Sequence, residues 1–260
     1  MIDAHCHLEH MNAEEVIAQA RGKMTAIVTS IADIKDAKTV VELHRKHPDF
    51  VFACLGFHPE IMKTYTYKEI GYYMGFIRQN RKEVAAIGEV GLDYNWITGK
   101  DDQLISREIF EFFIDLAKDL DLPLVIHSRN GRDNKEGSNE GIGDAIEILE
   151  KNGCKRVMMH CFSGSEGQLK RCVANGWMIS FATVICKSFK HQRLAKITPL
   201  DQMLLETDAP WLDPDSRELV NRPWKIERSA EVIAEKLGIT KDEVLRATED
   251  NAKMFFKINV

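Results

Sequence analysis

Residues 2–10 read Ile2-Asp3-Ala4-His5-Cys6-His7-Leu8-Glu9-His10. Ile2–His5 is a short strand candidate, and no glycine-rich phosphate loop follows it, although an open doubly wound sheet of eight strands would usually carry one there. Seven more β-branched or apolar runs follow: Thr25–Ser30, Val51–Gly56, Val84–Glu89, Leu124–His127, Arg156–His160, Met178–Phe181 and Met203–Glu206. Each is trailed by a helix-compatible stretch. Eight βα units in roughly 250 residues is the size of a TIM barrel. The fold class expected is therefore α/β, a (β/α)8 barrel. Met178–Phe181 is the weakest strand of the eight, because polar Ser180 and neighbouring Asn175 and Gly176 interrupt its apolar character.

No Pro/Gly/Ser linker divides the chain, so a single domain over 1–260 is expected, with a helical extension after the eighth strand. Gly238 ends one helical segment and Thr240 to Glu243 offer a capping box for the next. Helix, glycine turn and helix over 226–256 also describe a DNA-reading helix-turn-helix. Asp242, Glu243, Glu249 and Asp250 crowd that region where a reader needs Lys or Arg, which favours a helix pair packing on the barrel.

The chain has 260 residues, 35 Lys plus Arg against 40 Asp plus Glu, a net charge of −5, 44% hydrophobic and 29% charged residues. That composition excludes wholesale disorder and a disulfide-stapled scaffold. It also supplies no global field toward nucleic acid or an anionic membrane, so any phosphate binding must come from a local basic rim or a bound cation. Cys6, Cys54, Cys154, Cys161, Cys172 and Cys186 form no C-x-x-C pair and no signal segment is read, from which a reduced, cytoplasmic protein is expected. No apolar run approaches the roughly 20 residues a membrane span requires.

His5 and His7, at i and i+2 on a strand, point to one side and can grip one cation. Taken alone they are as well read as ordinary histidines. Glu89, His127, His160 and Asp208 each close another apolar run, with separations of 38, 33 and 48 residues. These suit the ends of strands four, five, six and eight, and in a barrel all such ends face one mouth. Any one of these histidines could be a satisfied core residue; four at strand ends are read as a metal set. Nitrogen and oxygen donors without thiolate suit Zn, Mn, Ni, Co or Mg, as one ion or two. Glu89 is the expected bridge between two cations. Asp208 is expected to ligate and to take a proton from the attacking water.

These motifs, Asp3-Ala4-His5-Cys6-His7-Leu8, Gly88-Glu89-Val90-Gly91-Leu92-Asp93-Tyr94, Ile126-His127-Ser128-Arg129, His160-Cys161-Phe162-Ser163-Gly164 and Glu206-Thr207-Asp208-Ala209-Pro210-Trp211-Leu212, resemble the TatD family of metal-dependent hydrolases in the amidohydrolase superfamily. Asn251 matches the family's usual Asn in the closing helices. The resemblance implies a (β/α)8 barrel, one or two divalent metals and deoxyribonuclease activity, commonly of the 3′-to-5′ exonuclease type. It carries the ligand role onto His5, His7, Glu89, His127, His160 and Asp208. The chain departs from the family at Asn221-Arg222-Pro223-Trp224, where Asn-Glu-Pro is frequent, so Arg222 is expected to reshape the substrate rim. The loop 130–139 is long and polar, and is expected to form a lid or rim.

Arg129, two residues past His127, is the expected bidentate phosphate contact, with an ion pair to a carboxylate as its alternative. Arg132, Lys187, Lys190, His191 and Arg193 are expected to be solvated charges. His58, after the third strand, is expected to touch substrate or leaving group, with packing in its loop as the equal alternative. Cys6 should turn away from the mouth by strand alternation, and no G-x-S-x-G elbow accompanies Ser163 or Ser165. The reading is a hydrolase with DNA as its substrate. The alternatives are a deacylase of D-aminoacyl-tRNA or another ester hydrolase, and a metal-stabilised binding protein without activity. Oligomeric state is left open.

Overall fold

The structure is a computed structural model that describes residues 1–133 and 136–260. Eight strands, β1 (Ile2–Cys6), β2 (Ala26–Thr29), β3 (Val51–Cys54), β4 (Val84–Asp93), β5 (Leu124–Arg129), β6 (Val157–Met159), β7 (Met178–Phe181) and β8 (Met203–Leu205), form one sheet in sequential order. Every neighbouring pair is parallel. The two edges meet just past β8, where Asp208 N donates to His5 O at 3.0 Å and His7 N to Ala209 O at 2.8 Å. Asp3, fully buried in β1, strengthens the seam by accepting Thr207 N at 2.9 Å. The result is a (β/α)8 barrel.

The helices are α1 (Ala13–Ala20), α2 (Ala37–Lys46), α3 (Tyr67–Gln79), α4 (Lys100–Asp119), α5 (Gly141–Lys151), α6 (Glu166–Ala174), α7 (Phe189–Ile197), α8 (Ile226–Leu237) and α9 (Lys241–Phe256). Parallel strands covered on both faces must be apolar on both, and here they separate into two cores. Ile2, Ala4, Val28, Cys54, Ala86, Val125, Met158 and Leu204 fill the barrel interior. The opposite residues, among them Cys6, Ile27, Val51, Ile126 and Ile179, pack outward beneath the helices.

Ala252, Phe255 and Phe256 of α9 join the interior cluster, so α9 closes the barrel floor. Asn251 fixes it there, donating to Met203 O at 2.8 Å and Leu200 O at 2.9 Å. The capping box at Thr240 forms with Glu243, and Gly238 takes the left-handed conformation (φ 70°) that stops α8.

β4 runs four residues past its expected end at Glu89. Gly91 permits this: at φ 144° a Cβ would lie 2.0 Å from His127 O, so only glycine lets β4 remain paired beside the end of β5 that carries His127. Among the described residues all six cysteines are free, and no helix is long and apolar enough to cross a membrane.

Candidate metal centre

At the C-terminal end of the barrel β1, β4, β5, β6 and β8 deliver their terminal side chains to one point. His5 Nε2 and His7 Nε2 are 3.1 Å apart. Glu89 lies between two groups of imidazoles. Its Oε2 is 3.4 Å from His5 Nε2 and 3.3 Å from His7 Nε2, while its Oε1 is 3.2 Å from His127 Nδ1 and 3.4 Å from His160 Nε2. Asp208 Oδ1 approaches His5 Nε2 at 3.7 Å and His7 Nε2 at 3.6 Å. The sets His5/His7/Glu89, His5/His160/Asp208 and His58/Glu89/His127 each present ligand atoms within 4.8 Å of one another.

Each of the four barrel-end histidines is held by its other nitrogen. His5 Nδ1 faces Ser30 Oγ at 3.1 Å, His7 Nδ1 faces Glu9 Oε1 at 2.9 Å, His127 Nε2 faces Asp93 Oδ2 at 2.8 Å and His160 Nδ1 faces Glu206 Oε2 at 3.0 Å. A carboxylate or hydroxyl behind the ring fixes tautomer and orientation and makes the exposed nitrogen more basic, which is how proteins prepare imidazole for a cation. The donor chemistry and this backing therefore fit divalent metal. His58 belongs to a different type. Glu60 N donates to His58 Nδ1 at 3.2 Å, so the neutral ring carries its proton on Nε2 and presents a donor, not a lone pair.

Electrostatics sharpen the distinction. Burial favours the neutral form of every group here. At Glu89 burial is outweighed by His5, His160 and His127, which hold the carboxyl well below its ordinary range. Burial is outweighed likewise at His160 by Glu206 and Glu89, which push it up to about 10, and at His127 by Asp93 and Glu89, which push it up to about 9. His7 is raised well above its ordinary value, against burial, by Glu89 and Glu9. His5, buried and next to the charge of His160, is lowered. His58 is lowered to about 3 by burial and by His127. Burial raises Asp208 despite the attraction of His160, His5 and His7.

Two site residues occupy left-handed backbone, Cys161 at φ 41° and Asp208 at φ 56°, a conformation that costs a non-glycine residue on the order of 1–3 kcal/mol unless neighbours hold it. Glu206 Oε1 accepts Cys161 N at 2.9 Å, and His5 O accepts Asp208 N at 3.0 Å. Trp211 meets His7 edge-on at a ring separation of 4.9 Å. Cys6 points away from the centre and is fully buried, its Sγ 3.7 Å from Val28 O.

The centre floors a cavity of about 490 Å³ whose wall includes His58, Arg129, Trp96 and Trp211. Arg222 is not part of this wall; its Nη1 turns back to Asn221 O at 2.9 Å. Lys187 is committed to Asp213 O and Ser216 O, both at 3.1 Å, and Lys190 to Ser163 O. Arg193 lines a separate cavity with Lys190. Asn134 and Lys135, in the loop expected to act as lid or rim, lie outside the described residues. The sequence reading gave no role to Glu9, Ser30, Asp93 or Glu206. Glu9 is two residues from His7, and Glu206 two from Asp208. The alternation that paired His5 with His7 was the available signal for both.

Comparison with known proteins agrees with this geometry. A family model described as TatD related DNase matches residues 2–257. The human protein named Deoxyribonuclease TATDN3 is 32% identical over 273 residues, covering 99% of this chain and 95% of that protein. YabD of Bacillus subtilis, named an uncharacterized metal-dependent hydrolase, is 32% identical over 269 residues, covering 100% of each. The Erwinia tasmaniensis protein named 3′-5′ ssDNA/RNA exonuclease TatD is 28% identical over 260 residues, covering 94% of this chain and 93% of that protein. The crystal structure of the TatD homologue YJJV of Escherichia coli superposes with a TM-score of 0.86 at 24% identity, covering 100% of this chain and 98% of that one. That likeness concerns the fold.

Proposed function

This chain belongs to the TatD-related DNase family, and from that premise we propose that it is a metal-dependent hydrolase of phosphodiester bonds in DNA, removing nucleotides from a 3′ end. The observation that carries the reading is the split of Glu89, one oxygen toward His5 and His7 and the other toward His127 and His160. We assign His5, His7, Glu89, His127, His160 and Asp208 as ligands, with Glu89 shared between two positions. One or two divalent cations bound there supply Lewis-acid polarisation of the phosphoryl group and offset its negative charge.

The chain's own residues do the rest. Asp208 accepts the proton of the attacking water at its free carboxylate oxygen, a task suited to a carboxyl that burial has raised. Glu206, Glu9, Asp93 and Ser30 keep the imidazoles aimed. Arg129 receives a non-bridging phosphate oxygen through its guanidinium. His58, neutral and protonated on Nε2, which lies 3.2 Å from His127 Nδ1, turns that N–H toward the leaving oxygen. The net charge of −5 leaves DNA attraction to these local groups. Six free thiols support a reducing, cytoplasmic setting, and α9 closing the floor supports one domain over 1–260.

The test is a substrate panel with and without chelator: single- and double-stranded DNA, RNA, a D-aminoacyl-tRNA and a simple phosphodiester, repeated after readdition of Mg, Mn or Zn. Metal-restored stepwise shortening of DNA is expected. Ester turnover without DNA cleavage would transfer the site to deacylation. Bound metal with silence on every substrate would make the centre structural.

A further inference from the structure

Trp96 stands on the loop after β4 and is 59% exposed, in the wall of the cavity that holds the metal-type cluster. It presents a bare aromatic face to a polar cleft. Among the described residues its indole has no stacking, cationic or hydrogen-bonding partner, whereas Trp211 on the same wall packs against His7 and His10. The backbone beneath it is nevertheless fixed. Asp93 Oδ1 accepts Asn95 N at 2.9 Å and Trp96 N at 3.2 Å, while Oδ2 of the same carboxylate takes His127 Nε2 at 2.8 Å. Ile97 is buried and donates its N–H to Asp93 O at 2.9 Å. One carboxylate thus sets both a ligand histidine and the pedestal of a free indole. Arg129, the β5 partner of Asp93 in the strand register, faces the same cavity and makes no ion pair among the described residues.

We propose that Trp96 is a base-stacking platform for the nucleotide next to the scissile phosphate, an inference that rests on the nuclease reading above. A rigid aromatic face beside a guanidinium and a phosphate-binding centre is the arrangement by which proteins hold single strands without reading sequence. A base inside a duplex has both faces covered, so the platform takes an unpaired or frayed terminal base. It sets strand preference and register through KM, not the chemical step.

The test compares wild type, Trp96→Ala and Trp96→Phe, each with metal, on single-stranded oligonucleotides identical except for one abasic residue moved along the 3′-terminal positions. In wild type an abasic residue at the platform position raises KM about 10-fold, the usual loss for one base–aromatic stack. Trp96→Ala erases that penalty, so intact and abasic strands give nearly equal KM, and Trp96→Phe keeps most of it. Circular dichroism confirms that both variants fold. An abasic penalty of the same size in Trp96→Ala overturns the platform while leaving the nuclease reading in place. Failure of the wild type to shorten any oligonucleotide overturns the nuclease reading, and the platform with it.

Discussion

Glu206 receives His160 Nδ1 at 3.0 Å on one carboxylate oxygen and the backbone N–H of Cys161 at 2.9 Å on the other. A single fully buried charge thereby aims a proposed ligand ring and holds the left-handed turn that follows it. Glu206→Gln keeps the shape and removes the charge. The expected result is metal affinity weaker by roughly 10- to 100-fold, the usual loss when such a partner is removed. Competition with a chromophoric chelator measures it, and unchanged affinity would refute the role.

Asp208 is the proposed proton acceptor. Asp208→Asn preserves size and the backbone contact to His5 O, so the melting profile should stay close to wild type. Turnover of DNA should fall by about 10²- to 10⁴-fold, the range for loss of a positioned general base. Wild-type turnover in this variant would remove Asp208 from that role.

Metal removal should be felt by the whole fold, because the proposed ligands come from five different strand ends. A cation present at 100 times its Kd adds roughly 2.7 kcal/mol, or about 5–10 °C in Tm for a chain of this size. Differential scanning calorimetry with excess chelator, then with readded Mn or Zn, should show that shift in both directions. Identical Tm values would mean that the native state does not bind the ion.

The loop behind Asp208 has its own pH signature. Asp213, only 5% exposed, accepts the N–H groups of Asp215 and Ser216 at 2.8 Å and pairs with Lys225 Nζ at 2.5 Å. Burial opposes the charge, but Lys225 and the two amides prevail and hold the carboxyl below its ordinary value of 3.8. A depressed folded value means that this contribution is complete above 3.8 and is lost as pH falls through the lower folded value. Asp213→Asn should cost roughly 1–3 kcal/mol at neutral pH. It should also flatten the acid limb of urea stability measured from pH 5 to pH 2. An unaltered acid limb would exclude Asp213 as its source.

The barrel was legible because its strands are apolar on both faces and alternate with helical stretches; even β7, with Ser180 inside it, sits where expected. The end of β4 was not, since the expected strand stopped at Glu89 and only the close approach of His127 O explains why glycine at 91 lets it continue. The six proposed ligands could be picked out because barrel topology gathers strand ends. Their backing partners could not: the pairing of His160 with Glu206 spans 46 residues and exists only once the barrel closes. For Arg222, the departure from the family's Asn-Glu-Pro suggested the rim; its Nη1 donates to Asn221 O.

The central claim is that Glu89 joins two cation positions, and metal content read alongside cleavage tests it most directly. Wild type and Glu89→Gln, both shown folded by circular dichroism, would be saturated with Mn or Zn, freed of excess ion and assayed by elemental analysis and on single-stranded DNA. The account predicts up to two equivalents and metal-dependent shortening for wild type, with reduced occupancy and loss of shortening for Glu89→Gln. Equal metal content and equal cleavage in the two proteins would contradict it.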